Sequence, residues 1–189
     1  SLTAVADSDT AILLNWFDGS SNETGFEIER SPNGSTGWTL IHTTAADVIN
    51  YTNTGLTEAT TYYYRVRAVN ADGSSAYTST ASALTYPAAP TALVAFAPSD
   101  NTIDLTWTDN SAGETSQRVE RSADGSAGWT LIATLAANDE DYSNTGLLPG
   151  ATWHYRIGAT NATGTNYSDV DSTTTAAAPQ LVYDIRAQV

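Results

Sequence analysis

The sequence predicts an all-β chain made of two copies of one module, and three observations carry that reading. The stretch from Gly55 to Gly73 returns 91 positions later, from Gly146 to Gly164. From Thr61 the residues alternate, with Tyr62, Tyr64, Val66 and Ala68 on one face and Tyr63, Arg65, Arg67 and Val69 on the other, which is the period of a strand with one face buried. Thr, Tyr, Val and Ile are plentiful, charged residues make up only 15%, and no stretch has helical spacing. The 189 residues therefore divide into two modules of about 90 residues, each large enough for a modest core.

The balance of charge excludes several functions. Twenty-one acids stand against seven arginines and no lysine, a formal net charge of -14. A phosphate backbone or an anionic membrane would be repelled, so nucleic acid is not an expected partner. With no cysteine there are no disulfides, no thiolate metal sites and no thiol redox chemistry. No run approaches the roughly 18 apolar residues of a membrane span, so membrane insertion is not expected. The chain also contains no methionine, which leads us to expect a processed product or an excerpt of a longer polypeptide.

The elements follow in order. Leu2 to Ala6 reads as a first strand and Asp7-Ser8-Asp9 as a turn. In the second strand Ile12, Leu14 and Trp16 share a face; in the other copy Ile103, Leu105 and Trp107 do. Burial of each tryptophan contributes on the order of 2–3 kcal/mol, which makes Trp16 and Trp107 core anchors. The third strand turns Phe26 and Ile28 inward and Glu27 and Glu29 outward, and its counterpart carries Gln117 and Val119. A polar Gln117 in the place of Phe26 predicts a thinner second core. The turns Ser31–Gly37 and Ser122–Gly128 lead into fourth strands starting at Trp38 and Trp129. Fifth strands surround Tyr51 and Tyr142, the long strand follows, and a last strand begins near Tyr77 and Tyr167, seven strands per copy. The linker Thr85-Tyr86-Pro87-Ala88-Ala89-Pro90 is short and proline-bearing, an extended, semi-rigid join.

Seven short strands, an inward tryptophan on the second, and Leu-x-Pro-Gly-x-Thr-aromatic leading into Tyr-Arg-Val/Ile-x-Ala-x-Asn-x-x-Gly resemble the fibronectin type III family, in particular its bacterial and phage-borne members. The resemblance covers Ser1–Ala83 and Ala88–Thr175. It implies two tandem seven-stranded immunoglobulin-like β-sandwiches with Greek-key connections. It also implies a tyrosine corner at Tyr62, whose hydroxyl would bond backbone a few residues upstream; Trp153 replaces that residue in the second copy and offers only a donor. The structural core is therefore assigned to Trp16, Tyr62, Tyr64, Trp107, Trp153 and Tyr155. The family's integrin-binding Arg-Gly-Asp is absent, since the matching loops read Asp72-Gly73-Ser74-Ser75 and Thr163-Gly164-Thr165-Asn166.

No catalytic constellation is legible. His42 and His154 are not repeated between copies and stand beside no nucleophile motif, so both read as surface histidines and the chain as no enzyme. Acids at Asp139-Glu140-Asp141, Asp169 and Asp171 match no calcium loop and read as solvated turn carboxylates, so no metal or cofactor is called for. Glu27 and Glu29 should face Arg65 and Arg67 across the neighbouring strand, with Arg118, Glu120 and Arg156 repeating the arrangement. Trp38, Tyr63 and Trp129 are candidate contacts for a glycan or partner, against the simpler reading that the tryptophans maintain the fold.

Domain boundaries are expected at 1–86 and 87–175, with 176–189 a linker and an extended strand. In that tail Leu181, Tyr183, Ile185, Ala187 and Val189 share one apolar face, and a lone strand needs a partner. It reads as the first strand of a further module or as a strand that pairs with another subunit. The function expected is a non-catalytic extracellular, cell-surface or virion-surface module: a semi-rigid spacer or adhesion unit whose partners are other modules of a longer chain, other subunits of an assembly, or surface glycans. A virion decoration or tail component and an accessory module of a secreted polysaccharide-degrading enzyme are the alternatives.

Overall fold

A computed structural model describes residues 1–180, and among them it contains strands, turns and loops and no helix. The chain divides into two compact units, one built around Ser1–Ala89 and the other around Pro90–Asn110 and Gln117–Gly158. In the first, β1 (Leu2–Ala6), β2 (Ile12–Trp16) and β5 (Asn50–Asn53) form a three-stranded sheet in the order β1-β2-β5. The facing sheet holds β3 (Gly25–Ser31), β4 (Thr39–Thr43), β6 (Thr61–Asn70) and β7 (Gly73–Ser74) in the order β4-β3-β6-β7, with β8 (Ala81–Leu84) also paired to β6. The second unit repeats this with β9 (Thr91–Phe96), β10 (Thr102–Thr108) and β13 (Asp141–Thr145) in one sheet. Its other sheet runs β12 (Thr130–Leu135), β11 (Ser116–Ser122), β14 (Thr152–Thr160) and β15 (Thr165–Tyr167), with β16 (Asp171–Thr174) paired to β14. Each unit is a β-sandwich in which the chain changes sheets between its second and third, its fourth and fifth, and its fifth and sixth strands.

Alternation decides what fills the space between the sheets. Ile12, Leu14 and Trp16 meet Phe26, Ile28, Tyr64 and Val66 in the first core, and Ile103, Leu105 and Trp107 meet Val119, Tyr155 and Ile157 in the second. Trp16 and Phe26 pack as a tilted pair with ring centroids 5.7 Å apart. A phenol on the inner face must satisfy its hydroxyl, and both do so against the fifth strand. Tyr64 donates to Asn53 Oδ1 at 3.1 Å, and Tyr155 accepts from Asn144 Nδ2 at 2.9 Å. Burial pushes the Tyr64 hydroxyl well above its ordinary pKa.

Tyr62 and Trp153 occupy the rim rather than the centre: both are half-buried and pack against the clusters from outside. The Tyr62 hydroxyl accepts the backbone N–H of Thr57 at 3.0 Å, five residues upstream. Trp153 Nε1 is buried with no partner, and the guanidinium of Arg121 lies 3.9 Å over its ring. A donor cannot accept the N–H that the phenol accepts, so the corner bond of the first copy has no counterpart through this side chain. A second pin closes both modules at the same place. Thr85 Oγ1 donates to Thr57 O at 2.8 Å and accepts Thr60 N–H at 2.9 Å, and Thr175 Oγ1 makes the matching bonds to Leu148 O and from Ala151 N–H.

Two strand boundaries differ from the sequence reading. The fourth strands start at Thr39 and Thr130, one residue after the tryptophans. The last strand of each copy begins at Gly73 and at Thr165, earlier than Tyr77 and Tyr167, and it is broken into two pieces, so each module has eight segments in seven strand positions. Hydroxyls cause the break. Ser75 and Thr78 give their N–H groups to Ala68 O and Val66 O, while their Oγ atoms accept the N–H groups of Ala68 and Val66. Side chains thus complete the ladder where backbone would otherwise do so, and Ser168 does the same for Ile157.

Gln117 stands where Phe26 stands in the first copy, is fully buried, and has a partner for neither amide atom. An unsatisfied buried amide costs about 1–3 kcal/mol. Gln117→Leu should therefore stabilise the second module by about 1–3 kcal/mol in urea denaturation. Trp16→Ala and Trp107→Ala should each destabilise their own module by about 3–5 kcal/mol, read as separate transitions in the same measurement.

Candidate functional site

The outer face of each larger sheet gathers the aromatic and charged side chains singled out by the sequence. In the first module β3 and β6 pair so that Glu27 lies opposite Arg67 and Glu29 opposite Arg65. The side chains meet as the register dictates: Arg65 Nη2 lies 2.6 Å from Glu29 Oε2, and Arg67 Nη2 lies 2.7 Å from Glu27 Oε2. Aromatic rings then stack on the guanidinium planes. Arg65 lies 4.4 Å from the centre of the Trp38 ring and 3.9 Å from that of Tyr77, and Arg67 covers Tyr77 at 4.7 Å. Tyr77 closes the layer by donating its hydroxyl to Glu29 Oε1 at 2.7 Å. The result is an alternating stack of ring and cation, each cation held edge-on by a carboxylate.

The second module keeps the stack with fewer charges. Trp129, Arg156 and Tyr167 take the places of Trp38, Arg65 and Tyr77, with Arg156 4.4 Å and 4.0 Å from the two ring centres. Glu120 is buried and serves three donors. Arg156 binds Oε2 at 2.7 Å, and Tyr167 and Arg118 bind Oε1 at 2.7 and 3.2 Å. Arg118 occupies the position of Glu27, and the position of Arg67 is Gly158. With its cross-strand partner gone, Arg118 turns to the neighbouring carboxylate. Burial works to raise the pKa of Glu120, but the hydrogen bonds from Tyr167, Arg156 and Arg118 outweigh it and hold the carboxyl below its ordinary value. Glu29 behaves in the same way with Tyr77 and Arg65.

Trp38 and Trp129 are therefore half-buried with one face each covered by an arginine. Tyr63 is placed differently, against the turn that joins β3 to β4. Gly34 has φ of +75°, and a Cβ there would come within 2.7 Å of the Tyr63 ring. His154 lies on Gly125 in the same way, at φ of +73° and 2.7 Å. Both rings cover a turn whose backbone only glycine fits. Within that turn Asn33 Oδ1 accepts the N–H groups of Ser35 and Thr36, and Asp124 Oδ1 those of Ser126 and Ala127. The bonds from Ala127, Ser126 and Ser122 hold the Asp124 carboxyl down to about 2. His42 stacks flat on Tyr51 at 4.4 Å.

Three of the acids read from the sequence as turn carboxylates serve separate backbone groups. Asp139 caps Ala136 N–H, Glu140 accepts Asp109 N–H, and Asp171 accepts Ala95 N–H. Among the described residues the three carboxylates that do converge are Asp18, Glu23 and Asp47, with oxygen atoms within 4.8 Å of one another. Sequence reasoning missed this group because Asp47 comes from a separate loop. It also missed the ring–cation stacks, although Trp38 and Tyr77 recur at matching places in the second copy. The candidate pairing strand of Leu181, Tyr183, Ile185 and Val189 lies outside the described residues.

Because the Glu120 pKa is lowered on folding, its contribution to stability is complete above the ordinary carboxylate value of 4.5 and is lost as pH falls below it. Glu120→Gln should destabilise the second module by about 1–3 kcal/mol at about pH 7 and by much less at about pH 3, as measured by urea midpoints.

Comparison with known proteins identifies this architecture. The family profile described as "Fibronectin type III domain" matches residues 1–83. Exoglucanase B of Cellulomonas fimi is 26% identical over 178 residues, covering 86% of this chain and 15% of that protein. Receptor-type tyrosine-protein phosphatase eta of Gallus gallus is 30% identical over 184 residues, covering 95% of this chain and 12% of that protein. The chain thus spans less than a sixth of the length of either relative. Among solved structures, a two fibronectin type-III domain segment from chicken tenascin superposes with a TM-score of 0.55 at 18% identity, covering 93% of this chain and 97% of that one. Its identity is low enough that it speaks for the fold alone. With the profile matching the first sandwich and the second repeating its strands, its core and its ring–cation stack, the chain is a tandem pair of fibronectin type III-like domains.

Proposed function

We propose that this tandem pair is a non-catalytic module of a longer extracellular or surface-displayed polypeptide, spacing neighbouring domains and offering surface for protein contacts. The observation that carries the reading is the commitment of the charged outer face to the fold. Every arginine among the described residues is bound to a carboxylate, to an amide or to an aromatic ring. Side chains held in closed stacks of this kind stiffen a sheet and have no proton or nucleophile to give. The relatives fit the same picture, since the matched segment is 15% of one protein and 12% of the other.

A second reading, an accessory segment of a polysaccharide-degrading enzyme, is favoured by the similarity to an exoglucanase. Under it, the open faces of Trp38 and Trp129 are the surfaces that would meet sugar rings.

Intact-mass and sequence analysis of the polypeptide from its native source tests the proposal. The expected outcome is a chain with further domains beside this pair, and a mature polypeptide of these residues alone would overturn it. A neighbouring glycoside-hydrolysing domain, together with weaker retention on insoluble cellulose for Trp38→Ala and Trp129→Ala, would establish the second reading over the first.

A further inference from the structure

We propose that the first sandwich docks an extended segment of a partner polypeptide, one that presents an apolar side chain beside lysine or arginine, in a groove between the Phe17–Asn22 loop and the broken last strand. Two hollows of about 300 and 310 Å³ share Ser20, Ala68 and Ser75, and so form one continuous groove. Its two ends differ in chemistry. One end is floored by Trp16, Phe26, Val66 and Ala68, and over it stands Phe17, a phenylalanine left 73% exposed. The other end is lined by Glu23 and Asp72, and Glu23 belongs to the converging group with Asp18 and Asp47. Arg67 borders the apolar end, but its guanidinium is bound to Glu27 at 2.7 Å. Two carboxylates line this end and two more converge on Glu23, with no unpaired cation lining the groove, and this calls for a basic partner.

The wall of the groove suits an extended occupant. The last strand lies at the edge of its sheet, and β7 is only two residues long. After it, Ser75 and Thr78 direct both their N–H groups and their hydroxyls inward to β6, which leaves the other side of the segment open. An added strand pairs along such an edge and places alternate side chains into the groove.

The second sandwich provides an internal control. Thr108, Gln117, Asn138 and Thr163 stand where the first has Phe17, Phe26, Asp47 and Asp72. The two phenylalanines and the carboxylates of Asp47 and Asp72 are replaced together in a copy that keeps the same fold and keeps Asp109 and Glu114 in the places of Asp18 and Glu23, so the fold does not require those four side chains. Neither exposed Phe17 nor exposed Asp72 packs into the first core. A shared selective pressure on a docking surface accounts for both.

The inference rests on the reading of the chain as an interaction-bearing module and has its own test. Isothermal titration of the whole chain uses the acetylated, amidated peptide Thr-Phe-Thr-Lys-Thr-Lys-Thr, whose phenylalanine and lysines share one face of a strand, and a counterpart with glutamate for both lysines. The basic peptide is expected to bind with a dissociation constant on the order of 10–100 μM. Binding should weaken about tenfold or more with Phe17→Thr and with Asp72→Thr, and again as salt rises from about 50 to about 500 mM. Both substitutions copy the second sandwich, and each variant should keep the melting curve of the parent. No heat at about 1 mM peptide, equal binding of the acidic peptide, or binding unchanged by Phe17→Thr overturns the proposal. A silent titration leaves the non-catalytic module standing, because that reading is decided by what the native polypeptide contains.

Discussion

The pairing register between β3 and β6 is the constraint on which the rest of the first module depends. Ile28 sits opposite Val66 on the inner face, while Glu29 sits opposite Arg65 and Glu27 opposite Arg67 on the outer. Because side chains alternate, a slip of one residue would carry Tyr64 and Val66 to water and two arginines into the core. One register therefore satisfies the apolar face and the charged face at once. Burying a guanidinium without its carboxylate would cost more than any contact the slipped sheet could gain. Specification from both sides gives the long strand a single position.

The ring–cation stacks extend this logic outward. An isolated ion pair with its arginine about a quarter exposed contributes little, about 0–1 kcal/mol. Here the guanidinium of Arg65, like that of Arg156, is held by a carboxylate and by two aromatic rings, so the entropy of ordering it is shared among several contacts. The stacks tie four strand positions together: the entry to the fourth through tryptophan, the third through glutamate, the sixth through arginine and the seventh through tyrosine. The second module shows how far the arrangement tolerates change. Loss of the partner at Gly158 is absorbed by Glu120, which takes on Arg118 as well as Arg156 and Tyr167.

The broken last strand has the opposite character. Hydroxyls of Ser75 and Thr78 satisfy the inner side of the ladder, so the edge gains local order without gaining a neighbour. An edge left open is a hazard unless it is short, twisted or charged. This one is interrupted after two residues and bordered by Glu23 and Asp72, which discourages pairing with a like copy while admitting a basic strand. The protection against self-association and the selectivity of the groove follow from the same carboxylates.

Much of the fold was legible in the sequence because strand alternation is a local property. The duplication, the inward Trp16 and Trp107, the paired Glu27, Glu29, Arg65 and Arg67, and the polar Gln117 on an inner face could all be read from spacing. What the sequence left open concerns distance along the chain. Tyr62 and Tyr64 look alike in an alternating pattern, and only the closing of the sandwich puts one at the rim and the other at the centre. Trp38 as a ring for arginine, Tyr63 as a cover for Gly34, and the convergence of Asp18, Glu23 and Asp47 each join residues from separate segments. Periodicity says which way a side chain points, and tertiary packing alone decides what it meets there.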